Sequence, residues 1–234
     1  MVVPRKVAVP GASVRVVNYP AASRIPIGGA LAFSSATPGS ETVKGAEAET
    51  SILGFAGNRE FVPKGAYDGF LGQYEPVDII DGYANALVIP NGADYDIDVG
   101  DFLEVAVLGD GTPGPHGLLE EAGTQQGTIF TVATVAKALE SVDMGARSYK
   151  VPASAVSVGD STITMSGTDI ATMGIAVGDY ILLEDTGASL GCQVNRVADL
   201  TATVITLELP ATVALGTDHD LVQRIYNCLV KVVK

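Results

Sequence analysis

Short apolar stretches, each closed by Gly, Pro, Asn or Asp, follow one another along most of the chain. TSILGFAG (50–57), PVDIIDG (76–82), NALVIPNG (85–92) and DFLEVAVLGDG (101–111) come at the spacing of strands in a β-sandwich or barrel. No amphipathic helix of roughly 10–15 residues alternates with them, which argues against a doubly wound α/β sheet. Plentiful Val, Ile and Thr, 27 Gly, 12 Pro and only 18% charged residues fit the same reading. One segment is ambiguous. In IFTVATVAKALESV (129–142), Ile129, Val132, Ala136, Leu139 and Val142 share a helical face, while the density of β-branched residues suits a strand equally well. The expected fold is all-β: a barrel or sandwich with an extended N-terminal arm and an inserted second small β domain.

A length of 234 residues holds one large β domain or two small ones with a proper core. The arm is expected over 1–45. Pro4, Pro10, Pro20, Pro26 and Pro38 each fix φ and remove a donor, so neither a helix nor a central strand can run throughout. Pieces such as SVRVVNY and GALAF are left to contribute edge strands, and an arm of this kind needs something to lie on, such as a neighbouring subunit. Residues 46–145 together with 221–234 are expected to form the barrel domain, with the apolar ending LVQRIYNCLVKVVK pairing back as a buried strand. Residues 146–220, strand after strand with polar turns, are expected to form the inserted domain.

One short motif recurs. DIDVGDFLEV (96–105) and GIAVGDYILL (174–183) share Ile-x-Val-Gly-Asp followed by an aromatic and an aliphatic residue, and VSVGDSTITM (156–165) is a looser copy. Around the first copy Asp94, Asp96, Asp98 and Asp101 crowd together like the start of a calcium loop. An EF-hand, however, places its Gly directly after the third Asp and a Glu at position twelve. Here Val99 intervenes, and position twelve counted from Asp94 is Val105. The second copy lacks the flanking acids, so the shared part does not require a metal. The motif is expected to be a corner: Gly supplies positive φ, and Asp accepts from neighbouring backbone amides.

Other motifs fail on context. GDGTPG (109–114) matches G-x-G-x-x-G after a strand, but Pro115, His116 and Gly117 follow where a helix must open on a pyrophosphate. GASLG (187–191) offers Ser189 as a nucleophile, with Asp199 and His219 following in hydrolase order. The segments after it read as antiparallel strands, whereas a nucleophile elbow needs a strand-to-helix turn in a parallel sheet. Cys192 and Cys228 have no metal-ligand spacing and read as two free thiols, with a disulfide between them left open. With two His, two Cys and no Trp, the chain is poorly stocked for catalysis. No catalytic, cofactor-binding or metal-binding residue is assigned, no cofactor is expected, and the protein is not expected to be an enzyme.

Charge narrows the partners. A net charge of −13 argues against a general nucleic-acid binder. No apolar run reaches signal-peptide or membrane-spanning length, so a soluble protein without a leader or a membrane partner is expected. Residues 1–40 contain Arg5, Lys6, Arg15 and Arg24 and no acid, which makes a basic arm on an acidic body.

Taken together, GGALAF, ILGFAG, VDIIDGYANALVIPNGADYDIDVGDFLEVAVLGDG, and GLLEEAG leading through TVAKALESVD to a valine-rich last strand resemble one family. It is the small β-barrel decoration, or cement, proteins of tailed viruses of bacteria and archaea. The resemblance covers about 50–145 and 221–234, while the arm and the unit at 146–220 are additional. It implies a virion protein on the outside of an icosahedral capsid, assembled in the host cytoplasm, with the major capsid protein and sister copies in a homotrimer as partners. The alternatives are another virion component (tail, baseplate or head fibre) or a glycan-binding surface module.

Overall fold

The computed structural model describes residues 13–35, 37, 41–47, 51–57, 69–74, 76–90, 96–108, 116–122, 134–144, 149–186 and 191–233. Among these the regular secondary structure is almost entirely strand, as the turn-punctuated pattern predicts. The first third contributes β1 (Ser13–Pro20), β2 (Ile25–Pro26), β3 (Ala30–Ser35), β4 (Thr42–Gly45), β5 (Gly54–Ala56), β6 (Phe70–Leu71) and β7 (Pro76–Asp81). Five of them form an antiparallel sheet in the order β1-β7-β5-β3-β4, and β2 pairs with β6. The open edges of the sheet approach each other, because Ala21, just past β1, bridges Val43 of β4, and Ala22 N–H donates to Val43 C=O at 2.7 Å.

The described residues between 13 and 45, expected as part of an arm, form short strands joined by turns, and β1 and β4 are indeed edge strands. They are nevertheless built into the body. β3 lies inside the sheet, with Ala30, Leu31 and Ala32 buried. The break placed at residue 45 therefore separates nothing: Ala30 and Ala32 on one side of it and Ala46 and Phe55 on the other share one core. Residues 1–12 lie outside the described residues.

The middle of the chain adds β8 (Tyr83–Val88), β9 (Asp96–Ile97), β10 (Phe102–Val105), β11 (Leu119–Glu121), β12 (Ala136–Ala138) and β13 (Val142–Asp143). β8, β10, β11 and β12 close into a five-stranded barrel with the last strand of the chain, β20 (Tyr226–Val232), in the order β10-β11-β8-β20-β12. The pairing of C-terminus with middle expected from sequence is present as six residue pairs, Tyr226↔Val88 through Lys231↔Tyr83. So narrow a barrel fills its interior only with small side chains between larger ones. Inward-facing Ala84, Ala86, Ala136 and Ala138 alternate in this way with Leu103, Val105, Leu119 and Val230. The ambiguous segment resolves as strand where it is described, Ala136–Ala138 and Val142–Asp143, and its residues 129–133 lie outside the described residues.

The remaining strands are β14 (Tyr149–Lys150), β15 (Thr162–Thr164), β16 (Tyr180–Glu184), β17 (Cys192–Leu200), β18 (Val204–Leu207) and β19 (Leu221–Arg224), with one short helix, α1 (Asp169–Met173). They make a six-stranded sheet, β14-β19-β16-β17-β18-β15. Leu221–Arg224, placed above with the barrel, belongs here instead. It pairs antiparallel with β16 along Leu221↔Glu184 to Arg224↔Ile181, and the chain crosses to the barrel at Ile225. The apolar ending reads as one strand from sequence because no Gly or Pro marks that crossing.

Strand alternation stacks these units into one body. On β3, Ala30 and Ala32 face the barrel interior while Leu31 faces a second core with Ile25, Val43, Val77 and Ile79. On β16, Ile181 and Leu183 face the core of the six-stranded unit, and Leu182 faces the barrel's outer wall. There it meets Leu87, Leu118, Ile225, Val194 and Leu209. Four apolar cores thus lie side by side. At about 25 cal/mol per Å² removed from water, the large aliphatic side chains in the seam join the two units firmly. One polar contact crosses the seam, the Tyr180 hydroxyl donating to Gly69 C=O, and on the six-stranded side of it buried Asn195 grips Leu209 at both its C=O (2.8 Å) and N–H (3.2 Å).

Candidate functional surface

The recurring Val-Gly-Asp motif is one structure built three times. Gly100, Gly159 and Gly178 have φ of 104°, 98° and 95° at the third position of a turn whose second residue is Val99, Val158 or Val177. This is the type II arrangement that selects glycine. The closing Asp N–H donates to the C=O three residues back, at 3.1 Å for Asp101, 3.0 Å for Asp160 and 3.1 Å for Asp179. Each Asp carboxylate then accepts the N–H of that same residue, Asp98, Ser157 or Ala176, at 2.6, 2.8 and 3.0 Å.

Each turn is also clasped by a strand distant in sequence. The Gly N–H groups donate to Ala138, Ala211 and Val197 at 3.0, 2.7 and 2.8 Å. Those residues return their own N–H to the C=O of Asp101, Asp160 and Asp179 at 2.8, 2.8 and 2.9 Å. The Asp carboxylates are engaged as turn acceptors. The acids flanking the first copy are likewise held locally: Asp98 accepts from the Ser141 hydroxyl at 3.3 Å and Asp96 from Met144 N–H at 3.2 Å. Asp94 lies outside the described residues, and among those described no group of three or more His, Cys, Asp or Glu is arranged to hold a metal ion.

The remaining candidates do not converge. Gly109 to Gly114 and Ser189 lie outside the described residues. Asp199 and His219 stand at opposite ends of the six-stranded sheet. His219 precedes β19 at the Glu184–Cys192 end, whereas Asp199 follows the Tyr180–Arg196 pair and binds the next backbone N–H at 2.9 Å. Cys192 and Cys228 are both free thiols. Burial, with Glu140 beside it, pushes the Cys228 thiol up to about 12. His116 is buried as a structural connector: its Nδ1 accepts Leu118 N–H at 2.9 Å, and its Nε2 lies 3.2 Å from Glu47 C=O.

Two features of the barrel wall are not visible in any motif. Glu104 and Glu120 are direct cross-strand partners on its outer face, near Glu184 of β16. Burial, opposed by the N–H of Val107 and increased by the Glu104 and Glu184 charges, raises the Glu120 carboxyl to about 7. Elsewhere on the wall, Phe102, Lys137, Lys231 and Tyr83 form one row across β10, β12, β20 and β8, each the register partner of the next. Their strand neighbours Leu103, Ala136, Ala138, Val230, Val232 and Ala84 point into the barrel, so all four side chains point out. Lys137 Nζ lies 5.4 Å from the centre of the Phe102 ring, and Lys231 Nζ lies 5.8 Å from that of Tyr83.

No family model, no curated protein and no solved structure matches this chain. The class that the fold itself defines is an all-β protein with a closed five-stranded barrel.

Proposed function

We propose that this chain is a structural protein of a virion, a decoration protein that binds and stabilises the outside of an icosahedral capsid. One observation carries the reading: the barrel, the five-stranded sheet and the six-stranded unit are joined through four contiguous apolar cores into a single block. A block of that kind transmits load between the surfaces it touches, which is what bracing a shell demands. Its closed barrel removes strand edges that otherwise invite uncontrolled pairing. The major capsid protein is the proposed partner, with sister copies arranged around a threefold junction so that contacts close on themselves. In this arrangement the protein acts through its surfaces, without cofactor or catalytic group.

Immunoelectron microscopy tests the reading directly. Antibody raised against the full chain should label particle heads evenly. Label confined to tails or fibres would assign the chain to another virion component, and particles without label would refute the proposal.

A further inference from the structure

We infer that the Phe102–Lys137–Lys231–Tyr83 row is a docking surface for a short carboxylate-bearing protein segment. The inference is independent of the assembly proposed above.

The register supplies the first argument. Lys137 and Lys231 are direct cross-strand partners. Like charges so placed destabilise a sheet. The chain carries 27 acidic residues against 14 Lys and Arg, so an acid is the commoner neighbour, yet two of its few cations are set face to face. Among the described residues neither lysine makes a salt bridge. Each leans on an aromatic ring, which holds the ammonium groups in place.

The second argument concerns the shape and sign of the occupant. Adjacent strands are about 4.8 Å apart, so the four-strand row spans roughly 14 Å, the length of four or five extended residues. The two lysines stand on its central strands, and each ammonium leans over the ring at its own end, Lys137 over Phe102 and Lys231 over Tyr83. Two carboxylates flanked by apolar side chains complement that order. A long polyanion such as a nucleic acid, or an anionic lipid surface, would extend past the row onto a body of net charge −13 and be repelled.

The test uses the full chain with a short end-blocked synthetic peptide carrying two glutamates flanked by leucines as the probe, read by titration calorimetry, with heparin and phosphatidylserine vesicles as comparison ligands. Saturable binding of this peptide is expected, weakening as salt is raised. The double variant K137Q/K231Q should lose about tenfold or more in affinity, as expected for removal of two charge contacts. K231Q alone changes an exposed side chain and serves if the double variant does not fold. No binding to the parent chain would overturn the inference, as would affinity indifferent to these lysines. Tighter, lysine-dependent binding of heparin or vesicles would overturn it in favour of a polyanion or membrane surface.

Discussion

The Glu120→Gln substitution tests the electrostatics of the seam most directly. Glu120 sits on the outer wall of the barrel opposite Glu104, with Glu184 of the six-stranded unit close by, and its carboxyl is raised from 4.5 to about 7. Its folded-state proton affinity therefore exceeds that of the unfolded chain. Protonated Glu120 supports the fold at low pH, and that support is lost as pH rises through about 7. At 1.36 kcal/mol per tenfold change in affinity, the penalty for the ionised form at pH 8.5 is about 3 kcal/mol, an upper figure for a partly exposed group. Glutamine keeps an oxygen for the Val107 N–H, which donates to Glu120 Oε1 at 3.2 Å, while removing the charge. Urea denaturation followed by far-ultraviolet circular dichroism should show the two proteins equally stable at about pH 3.5, below the unfolded-state value of 4.5. At pH 8.5 the variant should be more stable by about 2–3 kcal/mol, which shifts the melting point of a chain this size by about 8 °C. A difference that does not change with pH would refute the burial of the Glu120 carboxyl in the seam beside Glu104 and Glu184.

Gly159→Ala should cost about 1–2 kcal/mol, because φ is 98° and an added Cβ meets nothing within 4 Å, leaving backbone strain as the sole term. A neutral result in urea denaturation would show that the turn does not need glycine. Asn195→Ala should cost about 3 kcal/mol by leaving the buried N–H and C=O of Leu209 without partners. Hydrogen exchange at Leu209 should accelerate with it, and unchanged protection would contradict the proposed grip on the seam.

Much of the local structure was legible in the sequence. A type II turn requires positive φ at one residue, so Val-Gly-Asp declares itself wherever it occurs. The partners that clasp the turns, Ala138, Ala211 and Val197, carry no such signature, because a backbone N–H and C=O look alike at every residue. The candidate surface was invisible for a related reason. Lys137 and Lys231 become neighbours through the pairing of β12 with β20, and no local pattern announces a register between segments so far apart. The acidic group at Glu104, Glu120 and Glu184 likewise depends on how one unit lies against the other.

The sequence by itself determined that the chain is all-β and where many of its corners fall. These follow from side-chain alternation and from the φ preferences of Gly and Pro, which act over a few residues. Tertiary structure alone decided that Leu31 and Leu182 face different cores from their strand neighbours, and that β1 to β4 are built into the body. It also decided that Leu221–Arg224 belongs to the six-stranded sheet. Burial on both faces of a strand is a property of what packs against it, and that is set by the whole chain at once.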